Sequence, residues 1–258
     1  MATGRTLDRF KRIYVDGYDL SGFTRSCGPL SVEFEEDDMT MWGDTVKNYS
    51  HGQAQVNLGT LNAVFDNTAT TGLHALMGTS GVERVVTVAQ GIRAVPAQGD
   101  PCFNGQFMQD AYQVGEDGGA VVVTIPWSGW AGDGVTKAYP VGWGVLLHAN
   151  AAATAANTAI GVDDFGAASA HGGYFIYHVT AGDAGNVTLK VQDAAVNLNA
   201  SFADLSGATS GLITASAGVS GIVALSPTAT VRQFLRWQLV LGTALTVTFV
   251  SAFVRSQL

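Results

Sequence analysis

Apolar and polar residues alternate along most of the chain with a period of two, the signature of half-buried strands. Leu30, Val32 and Phe34 alternate with Ser31, Glu33 and Glu35, and Ala54, Val56 and Leu58 alternate with Gln53, Gln55 and Asn57. Val187, Leu189 and Val191 do the same against Thr188, Lys190 and Gln192. Near the C-terminus, Val231, Leu235, Trp237, Leu239 and Leu241 share one face, opposite Arg232, Phe234, Arg236 and Gln238. Gly242-Thr243 then offers a two-residue turn before Leu245, Val247, Phe249 and Phe253, which predicts a hairpin over 231–254. Ile13 to Val15 is a short strand ending at Asp16-Gly17, another hairpin signal, followed by Tyr18 to Phe23. Further strands are expected over 84–89, 105–113 and 120–125. The last is apolar on both faces, as a strand covered on both sides would be, with Pro126 ending it. Gly59 interrupts its strand and marks a bulge where the strand bends.

One stretch, Thr70 to Met77, predicts a short helix with Gly78 just beyond its end. Ala149 to Ile160 fits a short helix or a surface loop equally well. The sum is about a dozen short strands with one or two short helices, an all-β sandwich or barrel-like fold with many sheet edges to protect. No repeat of 20–50 residues suggests a solenoid or propeller.

Composition narrows the function. Only 13% of residues are charged and 47% are hydrophobic, so much of the surface is expected to be covered by other subunits. A net charge of −8 excludes a general nucleic-acid binder, which needs a basic face to displace counterions. No apolar run approaches bilayer length, so no membrane partner is expected. The charged segment Arg5 to Arg12 is followed by no apolar region of the kind a signal peptide carries. Cys27 and Cys102 are too few for a disulfide framework and fit two free thiols in a reducing compartment.

Catalytic chemistry leaves no trace. The histidines at 51, 74, 148, 171 and 178 are scattered without metal-ligand spacing, and His178 reads as a satisfied structural residue within a strand. No phosphate loop and no nucleophile elbow is present. The chain is therefore not expected to be an enzyme, and no cofactor or metal is expected. The one dense charge cluster is Glu33, Glu35, Glu36, Asp37 and Asp38. It suits a solvated loop, a calcium site lacking the usual ligand spacing, or an assembly surface. In the third case Glu35, Glu36, Asp37 and Asp38 would meet a basic segment of a neighbouring copy, for which Arg5, Arg9, Lys11 and Arg12 are suited. A carboxylate pair for glycoside hydrolysis would leave a stronger aromatic trace.

Taken in order, several motifs resemble one family. MTMWGDTVKNYSHGQAQVNLGTLNAVFD, the upstream VDGYDLSGF, and the downstream VDDFGAASAHGGYFIYHVTA, VTLKVQDA, ASFADLSG and VRQFLRWQLVLGTALTVTFVSAFVRS are similar to major tail tube proteins of long-tailed, siphovirus-type bacteriophages. The resemblance spans nearly the whole chain. The chain departs from the family where only Lys47 follows Gly-Asp-Thr as a basic residue, and where Ser50-His51-Gly52 replaces a proline-glycine.

The resemblance implies a β-sandwich subunit that contributes strands to the inner β-barrel of a homo-hexameric ring. Rings would stack into a hollow tube around a tape measure protein, bounded by tail terminator and distal tail proteins. Double-stranded DNA would pass through the lumen without sequence-specific binding. It further implies assembly in the host cytoplasm and a place in the virion tail. A long stacking loop over about 36–52 would place Thr40, Trp42, Asp44 and Lys47 at the ring interface, with Gln53, Gln55 and Asn57 facing the lumen. Residues 1–130 would form the tube-like region, and 131–258 would complete the same domain or pack as a second sandwich. The alternatives are a tail terminator, a distal-tail hub, a capsid decoration protein or a carbohydrate-binding β-sandwich.

Overall fold

The computed structural model describes residues 8–42, 45–47, 49–92, 94–129, 142–163 and 168–256. The chain is all-β. Its strands in order are β1 (Lys11–Val15), β2 (Tyr18–Asp19), β3 (Thr24–Gly28), β4 (Ser31–Asp38), β5 (Tyr49–Asn57), β6 (Thr60–Val64), β7 (Val82–Gln90), β8 (Pro101–Gln109), β9 (Gln113–Asp117) and β10 (Ala120–Gly129). They continue as β11 (Trp143–Ala153), β12 (Val162–Asp163), β13 (Gly173–Gly182), β14 (Asn186–Ala194), β15 (Ala203–Thr209), β16 (Ile213–Thr214), β17 (Val219–Ala224), β18 (Phe234–Leu241) and β19 (Val247–Arg255). One α-helix, α1 (Leu73–Met77), lies inside the stretch predicted to be helical and is capped by Gly78.

Twelve strands form one antiparallel sheet, and it forks at β8. One edge of β8 lies along β7. The other edge is shared, Pro101–Phe103 pairing with β11 and Phe107–Gln109 with β10. The N-terminal branch continues through β10 to β6 and β3, with β9 beside β10. The C-terminal branch runs β11-β19-β13-β17. Strands from both halves of the chain thus belong to one sheet. A second sheet of five strands, β12-β18-β14-β15 with β16 on β14, covers the C-terminal branch.

Because strand side chains alternate between faces, each branch buries one set. Phe103, Phe107, Val86 and Val88 pack against Leu61, Val123, Ile125, Leu73 and Met77 in a first core. Val145, Leu147, Phe175, Phe249 and Phe253 pack against Val187, Leu189, Val191, Leu235 and Leu239 of the second sheet in a second core. The opposite face of the large sheet encloses Tyr14, Ala89, Cys102, Leu146, Ile176, Val250 and Ala252. The sheet is rolled around this third cluster, and its two ends meet at the β1–β2 turn.

That turn is the hairpin read from Asp16-Gly17. Both residues take positive φ, 49° and 80°, as a type I′ turn needs. A side chain at Gly17 would strike the Val219 backbone of β17, 2.6 Å from its N. The Gly17 N–H donates to His178 Nδ1 at 3.2 Å, which leaves the His178 proton on Nε2, 2.9 Å from Thr87 Oγ1. Thr87 Oγ1 in turn donates to Asn104 Oδ1 at 2.9 Å. One chain of bonds therefore links the turn, β13, β7 and β8. His178 is fully buried and satisfied, as its place in a strand pattern suggested.

Four expectations are corrected. Residues 231–254 are not a hairpin: β18 lies in the second sheet and β19 in the large one. Their apolar faces meet across the second core, where the Trp237 and Phe249 rings sit 5.4 Å apart. β10 runs through Pro126, because the strand changes partner there, from β6 through Pro126 to β8 from Trp127. β10 is also fully covered on one side only, with Val123, Ile125 and Trp127 buried and Val122, Thr124 and Pro126 on the other face half-buried. Ala149–Ala153 is strand, the end of β11, rather than helix or loop.

The strand β3 continues into β4, and β5 into β6, as one long ribbon bent at Gly28-Pro29 and Gly59. Gly59 has φ +55°, and a Cβ there would overlap the Gly28 carbonyl carbon and crowd Pro29 N. The bend expected at Gly59 is present, with Gly59 on its inside. Gly59→Ala is expected to lower unfolding stability by about 3 kcal/mol, combining left-handed strain with backbone overlap. Urea denaturation would measure it.

Candidate assembly arm and cationic cleft

Beyond the bend the ribbon leaves the body. Among the described residues β4 and β5 pair only with each other, from Ser31↔Asn57 to Asp38↔Tyr49, with a register shift between Phe34 and Glu36. At about 3.3 Å per residue, β4 reaches about 25 Å. Its root is anchored because Val32 and Val56 face each other and turn inward, Val56 being buried in the first core with Leu58, and Leu30 packed against it. Farther out no core is left to cover the ribbon. Phe34, Met39, Met41, Trp42 and Val46 are exposed, Trp42 completely so. Isolated apolar residues on a surface are ordinary, but a projecting tip with this many in sequence marks a contact surface.

The acidic run belongs to β4 rather than to a loop: β4 extends to Asp38 and β5 starts at Tyr49, inside the loop expected over about 36–52. Alternation puts Glu36 and Asp38 on the face of Phe34, with Glu33 opposite. Glu36 and Asp38 are exposed. Asp38 accepts bonds from the Thr40 backbone N–H, at 3.0 Å, and from the Thr40 hydroxyl. These bonds hold its carboxyl below the usual carboxylate range. Glu33 accepts from the Ser31 hydroxyl at 2.7 Å. Lys47 is exposed in the turn. Glu35, Asp37 and Gln53 lie in β4 and β5 by backbone, and Asp44 lies outside the described residues. Gln55 and Asn57 stand opposite Glu33 and Ser31, so the lumen candidates share the polar face of the arm's root.

The other two predicted interface residues lie outside the ribbon, beside β3 at its root. Arg9, in a short 3-10 turn (Asp8–Phe10), stacks its guanidinium 4.6 Å over the Phe10 ring. Arg12 Nη1 donates to the carbonyls of Arg9 and Lys11 at 3.1 and 2.8 Å. With Lys11 and Arg25 they line a cleft of about 110 Å³ between the start of β1 and β3. Arg25 is the residue left unpaired by a register shift between Thr24 and Ser26, a bulge that re-aims its side chain. Sequence reading missed Arg25, since only pairing reveals a bulge. Lys11 is neutralised by Asp8 at 2.7 Å and Arg25 by Asp117 at 2.8 Å. Arg9 and Arg12 pair with no carboxylate among the described residues. Cys27 also borders the cleft, and burial pushes its thiol up to about 12, so it remains protonated. Cys27 and Cys102 are both free thiols.

No protein-family model and no curated protein matches the chain. Among solved structures it is similar to the Dit (gp 19.1) protein of SPP1, described as a paradigm of the hub adsorption apparatus in phages that infect Gram-positive hosts. The identity is 12%, over 96% of this chain and 99% of that one, with a TM-score of 0.30. At that score the likeness carries no argument. Among the described residues no group of His, Cys, Asp and Glu could hold a metal ion, and no helix is long and apolar enough to cross a membrane.

Proposed function

We propose that this chain is a structural subunit of a long-tailed bacteriophage virion, a major tail tube protein that assembles into hexameric rings stacked as a hollow tube. The observation that carries the reading is the arm. A ribbon continuous with the body's sheet, with no further strand on either of its edges among the described residues and tipped with Met39, Met41 and Trp42, is built to lie against something else. The ordered sequence motifs supply the family, and the low overall charge supplies a surface suited to neighbouring copies. A wall formed by strands of several subunits would remove sheet edges, and an acidic lumen would let DNA slide past. In this reading the tape measure protein occupies the lumen before DNA, and the terminator and distal tail proteins close the ends.

The test is assembly of the purified full chain, followed by sedimentation velocity and negative-stain microscopy. Wild type is expected to form rings and tubes as concentration rises. Replacing residues 39–48 by Asn-Gly, the turn that suits a directly paired Asp38↔Tyr49, is expected to leave a folded monomer that forms no tubes. Tubes of normal length from that variant would overturn the role of the arm. Single rings that never stack, from wild type, would point to a terminator or hub instead.

A further inference from the structure

We infer that the cationic cleft at the root of the arm is the receiving site for the acidic face of another copy's arm. This rests on the assembly reading above and adds to it the partner surface and the charges that select it. The two surfaces are complementary and each is incomplete on its own chain. Arg9 and Arg12 border the cleft without a carboxylate partner among the described residues, in a protein of net charge −8 where carboxylates outnumber cations. Glu36 and Asp38 are exposed on one face of the arm, with no cation paired to them among the described residues.

The fold sets these groups apart within one copy. β3 lines the cleft and leads directly through Gly28-Pro29 into β4. Glu36 and Asp38 lie 9 to 11 residues beyond Cys27 along a hydrogen-bonded ribbon, about 30 Å of strand away from the cleft. Among the described residues no ion pair joins Glu36 or Asp38 to Arg9 or Arg12 of the same copy. The inferred contact is therefore one between copies. Donor and receiver are different surfaces, so the contact is heterologous and propagates from copy to copy instead of closing as a two-fold dimer. Cleft residues Ser26 and Ser21 offer hydroxyls beside the guanidinia, so a carboxylate entering there exchanges water for charge-assisted bonds. Phe34, on the same face as Glu36 and Asp38, adds apolar area to the contact.

Charge reversal in the full-length chain tests this. Glu36→Lys with Asp38→Lys, and separately Arg9→Glu with Arg12→Glu, are each expected to raise the concentration at half-assembly about tenfold or more at low salt. The difference should narrow in 0.5 M NaCl, because surface charges are screened there. A chain carrying all four changes restores the pairing with signs exchanged and is expected to assemble near the wild-type concentration. Thermal melts of each variant separate assembly from folding. If wild type assembles and neither reversal shifts the midpoint, the inference fails while the assembly reading stands. A wild type that stays monomeric overturns both. Arg9→Glu/Arg12→Glu chains that assemble normally but no longer retain a short DNA duplex would assign the cleft to nucleic-acid phosphates and overturn the inference.

Discussion

Arg84→Leu is expected to lower the unfolding free energy by about 3 kcal/mol, seen as a drop in the urea midpoint with the slope unchanged. Among the described residues of the N-terminal half, Arg84 is the most heavily engaged cation. Its Nε donates to Gln109 Oε1 at 2.6 Å, Nη1 to Asp16 Oδ2 at 2.9 Å, and Nη2 to the Thr79 carbonyl at 3.3 Å. The other Asp16 oxygen accepts the Val85 N–H at 2.9 Å. Burial holds the Asp16 carboxyl above its ordinary range even with these donors in place. Removing the guanidinium strands a partly buried carboxylate at the turn where the rolled sheet meets its other end. It also leaves the Gln109 side-chain oxygen without its donor. Exchanging both partners, Asp16→Asn with Arg84→Met, is expected to recover a large share of the loss. Asparagine tolerates the positive φ and still accepts from Val85, and methionine leaves no charge unmatched. A double variant no better than Arg84→Leu would mean that the loss arises from packing rather than from the stranded charge.

Acid sensitivity is the second large effect. His178 is buried among neutral partners, accepting from Gly17 and donating to Thr87, with the Tyr14 ring 6.2 Å away. Among the described residues no carboxylate bonds to it, and burial pushes its pKa down to about 3 from an ordinary 6.5. Above about pH 6.5 the ring is neutral in both states, and its full contribution is present. Below that, the unfolded chain takes a proton that the folded chain refuses, so stability falls as pH drops toward 3. The slope from this one group is about 1.4 kcal/mol per pH unit. Urea unfolding at pH 7 and pH 5 should therefore differ by about 2 kcal/mol from His178 alone. His148 is also held below its usual value by burial and adds in the same direction. His178→Gln separates the two. It is expected to be less stable than wild type at pH 7 yet to lose less on acidification. An unchanged pH slope in that variant would place the sensitivity elsewhere.

Local features were legible in the sequence wherever a short stretch fixes its own geometry. Asp16-Gly17 specifies a type I′ turn by its tolerance of positive φ. The alternation at Val187, Leu189 and Val191 marks a buried face, and Gly78 ends a helix. Partner choice was not legible, because period-two alternation says which face is apolar and not which strand lies alongside. The residues from Val231 to Phe253 read as a hairpin for that reason. Two apolar faces joined by a short turn look the same whether they lie in one sheet or face each other across a core. Pro126 misled for a related reason. It ends a strand only where its missing N–H is needed, and at a change of partner it is not. In the candidate site, Glu36, Asp38, Arg9, Arg12 and Trp42 stood out as charge and exposed bulk. The bent ribbon that carries the acids beyond the cations, and the bulge that turns Arg25 into the cleft, exist only once β3 and β4 have found β6 and β5.

The continuity of that ribbon bears on how the molecule would respond to force. Bonds between antiparallel strands lie perpendicular to the chain direction. A pull on the tip stretches β4 and β5 side by side, strands that are already near full extension, and the bend at Gly59 passes the load on to β3 and β6. A loop of the same length would extend slackly before transmitting anything. An arm made as sheet carries tension from its tip to the body without first uncoiling.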